Sequence, residues 1–270
     1  MSSQRTESAE TTRLANCLQG SCIYLHYFFS STSRSFRSCA DNGDIFATTK
    51  QWEVIYPMNL DTQEERKAWM PYVHAVLSLC SIGREVGYFV VNPKMQYQMW
   101  NRMRSFLSQH EIRDKEQLIT NIEWYLETGR RDEFFRDSCY LSMLSAAERS
   151  RYIQFLTNEQ RRRQLSVVNR YLWSLSPGGI AAYDYSWTML KCFAGKQVGY
   201  LSEDEMWRYI GQIIPMIKEN FSDWDAYIAS YAIGQSYLQH EHPFSFVSKN
   251  RKYIMQLMNS LQNPMLQFKP

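Results

Sequence analysis

The sequence predicts an all-α fold: a multi-helix single domain with orthogonal or bundle-like packing. At most it leaves room for a minor short β-hairpin near the N-terminal third. Three observations lead there. Glycine (11) and proline (8) are scarce in a chain of 270 residues. Few turns suit long helices better than a many-stranded sandwich. Aromatic residues reach 15%, which supplies bulky side chains for a core. Finally, Ser176 to Leu238 holds three helices with readable starts. A chain of this length buries a sizeable core without disulfides or metals.

Residues 1–11 are polar and rich in Ser, Thr and Glu, and are expected to be a disordered tail. Residues 12–93 read as a less regular helical region. Within it, 30–50 form a polar break with an Asn42-Gly43 turn signal. Two β-like patches, 52–56 and 87–91, are closed by Pro57 and Pro93 and fit a small hairpin or extended loop equally well. Between them, Thr62 with Glu65 has the form of a capping box. It opens a helix through Met70 to Leu79, in which Pro71 predicts a kink or a restart.

Residues 94–262 read as the helical core. Met95, Met99, Met103, Phe106 and Leu107 recur at helical spacing. Asp114 with Gln117 makes a second capping box, and Gly129 is the expected stop. A short segment around Phe134 and Phe135 follows. Residues 146–175 then read as one long helical region with a polar middle, NEQRRRQ at 158–164. Ser176-Pro177 has the pattern of an N-cap with proline at the first helical position, and Gly195 is the expected end. Ser202 with Glu205 is a complete capping box, and Ser222 with Asp225 starts the next helix. Pro215 is expected to bend the helix between them. A terminal helix is expected at about Ser248 to Leu261.

The formal net charge is +3, from 30 basic and 27 acidic residues. That near balance argues against a dedicated nucleic-acid binder. The six cysteines, at 17, 22, 39, 80, 139 and 192, show no C-x-x-C and no zinc-finger spacing. They are expected to be reduced thiols in a cytoplasmic protein. The apolar run at 21–30 is too short to span a bilayer, contains His26 and follows acidic Glu7 and Glu10. Neither a membrane span nor a secretory signal is expected.

Four pieces of the chain resemble the signature of a bacterial family known as domain of unknown function 1266. Trp100 and then IRDKEQL at 112–118 form the first, and WYLETGRRDEF at 124–134 the second. AYDYSW at 182–187 is the third. The last is GYLSEDEMW at 199–207 followed by SDWDAYIASYAIGQ at 222–235. The resemblance spans about residues 70–240. Arg130 stands where the family tends to have His, Trp187 where it has Arg, and Gln235 where it often has Arg. A shared catalytic centre would have lost several polar groups here. The family supplies no activity to carry over; the context of its genes implies an interaction or immunity-type role by analogy.

Asp184 is the one costly residue in an otherwise apolar helix. Unpaired, a buried carboxylate is strongly disfavoured. It is expected either as a general base with Arg130 or Arg131, or as a packing group tied to one of them or to a Tyr hydroxyl. His240-Glu241-His242 lacks the spacing of H-E-x-x-H, so no metal and no cofactor is expected. His26, His74 and His110 are scattered singly, and no G-x-S-x-G or paired Cys and His suggests a nucleophile. Gly178-Gly179 is read as helix-start chemistry rather than an anion cradle. Arg149, Arg151, Arg161, Arg162, Arg163 and Arg170 form a candidate basic strip, more simply a solvated face. Tyr200, Ser202, Glu205, Trp207, Ser222 and Trp224 are expected to be structural or binding positions, with the two Trp anchoring the capped helices.

The function expected from these readings is non-enzymatic: binding of another protein, as a toxin-immunity or secretion-associated adaptor. A hydrolase-type enzyme using Asp184 and a helical nucleic-acid-binding module are the alternatives.

Overall fold

In a computed structural model of the chain, the structure describes residues 58, 60–81, 100–239 and 270. The chain divides into two units, Met1–Thr48 and Thr49–Pro270, and every described residue belongs to the second. The tail at 1–11, the 21–30 run, the β-like patches, His240-Glu241-His242 and the terminal helix lie outside the described residues.

Those residues are all-α, with no strand among them. Helix α1 spans Gln63–Ser78 and ends in a 3-10 turn, Leu79–Ser81. It is followed by α2 (Trp100–Gln109), α3 (Lys115–Glu127), α4 (Gly129–Ser142), α5 (Ala146–Phe155) and α6 (Glu159–Tyr171). Then come α7 (Ala181–Val198), α8 (Glu203–Asn220) and α9 (Trp224–Gln239).

Helix α7 is the hub. Residues 181–186 and 188–195 are all buried, as expected of a helix apolar all round. It packs against α1, the 3-10 turn, α2, α3, α4, α8 and α9. Tyr72, Leu118, Tyr185, Trp207, Ile213 and Tyr227 anchor this main core. A second cluster joins α4, α5, α6 and α9 through Phe134, Leu141, Ile153, Leu165, Ile233 and Tyr237.

Local capping appears where the sequence places it. Thr62 and Ser202 form the expected reciprocal boxes with Glu65 and Glu205; Ser145 forms a further one with Glu148 that the sequence reading did not name. Asp114 accepts the Gln117 N–H at 2.8 Å, but the Gln117 side chain accepts from the Arg113 N–H instead of the cap's own. Helix α1 continues through Pro71 without a restart.

Other starts and stops differ from expectation. Residues 146–175 are two helices, because Asn158 turns its side chain onto the Arg161 N–H and opens α6. The segment around Phe134 is the full helix α4. Ser176 does not cap α7: residues 177–180 form turns, the helix begins at Ala181, and the Ser176 Oγ has no partner. The Gly179 and Ala181 N–H groups donate to Ser176 and Gly178 carbonyls within that turn, so no free cradle forms. Gly195 lies inside α7, where a Cβ would sit 2.3 Å from Leu118 Cδ2, and the helix ends at left-handed Gly199. Asp223, not Ser222, caps α9: its Oδ1 accepts the Ala226 N–H at 2.8 Å while Ser222 Oγ donates to Oδ2.

Pro215 explains a contact of α8. Proline has no N–H to give the carbonyl four residues earlier, which is that of Gly211. The Met58 N–H donates to that carbonyl at 2.9 Å. Gly211 also permits the approach, since a Cβ there would lie 2.4 Å from the Met58 oxygen. Leu60 follows into the core.

Candidate functional site

Asp184 sits at the meeting point of α3, α4 and α7. Its Oδ2 accepts the backbone N–H of Arg131 at 2.9 Å, with the Arg131 guanidinium 3.3 Å away. The same guanidinium donates to the carbonyls of Tyr125 and Leu126 at the end of α3. Arg131 therefore closes the C-terminus of α3 while Asp184 closes the N-terminus of α4. Thr128, in the N-cap position of α4, makes no side-chain cap bond. A helix start favours a negative charge, and here that charge comes from another helix.

Only one residue separates α3 from α4, and the turn needs Gly129 at φ +65°. A Cβ on Gly129 would stand 2.3 Å from Asp184 Oδ2. The Gly129, Arg131 and Asp184 positions of two separate sequence motifs thus make one joint.

The joint leaves Asp184 Oδ1 buried with no hydrogen-bond partner. Burial pushes the Asp184 carboxyl up to about 6, against the opposing pull of Arg131 and the α4 amides. Two turns along the same face of α7 lies Lys191, which is fully buried. Its Nζ donates to Asn121 Oδ1 at 2.7 Å and lies 4.0 Å from the Tyr125 ring centroid. Burial pulls this amine down to about 7, partly offset by Asp184. Sequence reading missed Lys191; a charged residue seven places from Asp184 in an apolar helix was the available signal.

Arg130 is exposed, with its guanidinium 5.3 Å from the Trp124 ring centroid and 3.7 Å from Glu133. Trp187 stacks on Phe106 and lies against His110 and Tyr183. Burial pulls the His110 imidazole down, assisted by Lys191. Gln235 is buried on α9, its Oε1 without a partner. Of the two arginines expected beside Asp184, only Arg131 brings its side chain there.

GYLSEDEMW is a clasp between elements. Tyr200 OH donates to the Arg113 carbonyl. Asp204 pairs with Arg66 of α1 at 2.7 Å, and Glu205 with Lys115 of α3 at 2.7 Å. Together with the Ser202 cap, the Lys115 contact lowers the Glu205 carboxyl to about 2. Met206 and Trp207 enter the core, and Trp224 packs against Tyr72 and Tyr227.

The six arginines of the strip do not share one role. Arg149 donates to Asn169 and to the Leu144 carbonyl. Arg161 forks onto buried Asp137, whose Oδ2 also accepts the Tyr237 hydroxyl at 2.9 Å. Arg162 and Arg163 share Glu159. Arg151 and Arg170 are exposed.

Of the seven large apolar side chains exposed among the described residues, five fall on α4, its C-cap and α5, a grouping that the sequence reading did not single out. On α4, Phe135 and Tyr140 flank the buried Phe134 and Leu141 on either side, and Met143, at the C-cap, falls opposite them; on α5, Tyr152 and Phe155 lie on one side. Phe135 is 60%, Met143 67% and Phe155 79% exposed. Tyr140 and Tyr152 join the two sets with ring centroids 5.2 Å apart. Among the described residues no group of His, Cys, Asp or Glu is placed to hold a metal, and no helix is long and apolar enough to cross a membrane.

These features define an all-α protein built round a buried helix, with a carboxylate joint inside and an aromatic face outside. The family model described as protein of unknown function (DUF1266) matches residues 106–269, and the chain belongs to that family. The match begins later than the resemblance drawn from the motifs and runs further toward the C-terminus. No curated protein and no solved structure matches it.

Proposed function

We propose that this protein works by binding another protein through the α4–α5 face. The observation that carries the reading is the exposure of Phe135, Met143 and Phe155 beside the Tyr140–Tyr152 pair. Single exposed apolar residues need no explanation, but five on two successive helices, with one ring pair joining the helices, are the kind of group that marks an interaction site. Aromatic residues, Met and Arg are also the types enriched where binding energy concentrates. An immunity role against a toxin and an adaptor role near a secretion system, both cytoplasmic, are concrete forms of this reading.

Affinity purification from the native host, with neighbouring genes co-expressed, tests it. The wild-type chain is expected to retain a partner that a folded Met143→Ser/Phe155→Ser variant loses. Equal recovery by both, or no partner at all, counts against the face.

The enzyme alternative has one observation in its favour, the unpartnered Asp184 Oδ1. Against it, the carboxylate is fully buried and its other oxygen serves the start of α4.

A further inference from the structure

The α4–α5 face lies in the part of the chain with a marked excess of positive charge. Residues 129–171 hold nine arginines against five acidic residues, while the whole chain carries only +3. The acids there are already engaged. Asp137 is held by Arg161 and Tyr237. Glu133 faces Arg130 and Arg161. Asp132 holds Arg136 at 3.1 Å. Glu148 turns its carboxylate back onto the Ser145 N–H, and Glu159 serves two arginines at once. On α5, Arg151 projects on the same side as Tyr152 and Phe155, with Glu148 one turn before it. Most arginines of this stretch are engaged by those acids or by other acceptors, and Arg151 is the one that helical spacing sets beside the exposed Tyr152 and Phe155.

We infer that this face takes a polypeptide segment whose apolar side chains are flanked by carboxylates. The inference rests on the protein-binding reading above and names the partner's chemistry. Exposed Phe, Tyr and Met offer an apolar centre for hydrophobic anchors. Arginine at the rim matches carboxylates in a planar, two-point geometry. Complementary charge then speeds encounter and rejects basic partners. Nucleic acid fits less well, because Arg149 and Arg161 of the strip are turned to acceptors within the protein. A phospholipid surface shares the negative charge, and the vesicle arm of the test separates it from a peptide.

The test is selection of a random peptide library displayed on phage against the full chain. Counter-selection uses the Met143→Ser/Phe155→Ser variant, checked for helical content by circular dichroism. Enriched peptides are resynthesised and titrated by fluorescence anisotropy at low and high salt, against wild type and Arg151→Glu. Phosphatidylglycerol vesicles are run in parallel. The expected result is face-dependent peptides with Asp or Glu beside aromatic or aliphatic residues, weakened by salt and about tenfold by Arg151→Glu. Face-dependent peptides without acidic excess or salt dependence would overturn the acidic partner and leave the protein-binding reading standing. An absence of face-dependent peptides would overturn both. Face-dependent retention on vesicles without peptide binding would reassign the surface to membranes and overturn the proposal.

Discussion

Asp184 Oδ2 accepts the backbone N–H of Arg131 from 53 positions away in sequence, at 2.9 Å, and so caps a helix to which it does not belong. The arrangement offsets part of the cost of a buried carboxylate by giving it a helix start and a guanidinium, while Oδ1 stays unpartnered and burial still raises the carboxyl to about 6. It also fixes the angle between α3 and α4, since Arg131 is bound at both its amide and its side chain.

Removing that carboxylate strands the Arg131 amide and guanidinium. Asp184→Ala is expected to lose about 3 kcal/mol in urea unfolding, the scale for breaking a buried pair. Gly129→Ala is expected to lose about 2–4 kcal/mol from its left-handed backbone and the clash with Oδ2. The double variant should lose less than the sum, because deleting the carboxylate removes the contact with Oδ2 and frees the Arg131 guanidinium, 2.4 Å from the new Cβ, to shift. Strict additivity would show that the joint is not a unit.

Lys191 makes stability depend on alkaline pH. Its amine titrates at about 7 in the fold against 10.5 in the unfolded chain. Between those values the unfolded state holds more protons, so stability rises with pH by up to about 1.4 kcal/mol per unit. Lys191→Met should remove that contribution and raise stability at neutral pH. Denaturant midpoints across the window, compared between the two proteins, check the slope.

Asp184 acts with the opposite sign at acid pH. Its carboxyl titrates at about 6 in the fold and 3.8 unfolded. The native state holds more protons between these values, so this contribution is full below 3.8 and declines as pH rises through 6. The wild-type minus Asp184→Asn difference should fall with rising pH in that interval; a rising difference would contradict the burial account.

The start of α9 separates two neighbouring residues. Asp223→Ala should cost about 1 kcal/mol, the usual loss for an N-cap. Ser222→Ala should cost less, since its hydroxyl only supports the Asp223 carboxylate. Thermal unfolding of the two variants decides which residue is the cap.

Gly211→Ala should destabilise, although alanine is favoured over glycine in a helix by about 1 kcal/mol. The added Cβ would displace Met58 from the carbonyl that Pro215 leaves unsatisfied. A gain in urea midpoint would show that this contact contributes little.

Much of the fold was legible where its causes are local. Thr62-Glu65 and Ser202-Glu205 satisfy helix amides within three residues, so their helices could be placed from the chain alone. Ser176-Pro177 misled because its pattern is that of a cap, whereas α7 starts at Ala181 with the Ala182 N–H donating to Ser230 Oγ of α9 at 3.2 Å. Like α4, α7 lacks a side-chain cap of its own and receives one across the core. The candidate site was half legible: Asp184 stood out by its cost, and Arg131 was one of the expected partners, with Arg130 and a Tyr hydroxyl. Lys191 and the aromatic face did not, because helical spacing says which residues share a side but not which side a neighbour covers.

The sequence by itself determined the all-α class, the family and the self-capped helices, because these rest on composition, ordered motifs and contacts spanning a few residues. Only the tertiary structure decided what Asp184 does and which aromatics stay outside. Both depend on which distant helices meet: a carboxylate reaching across 53 positions, and a core that closes over Phe134 while leaving Phe135 in water.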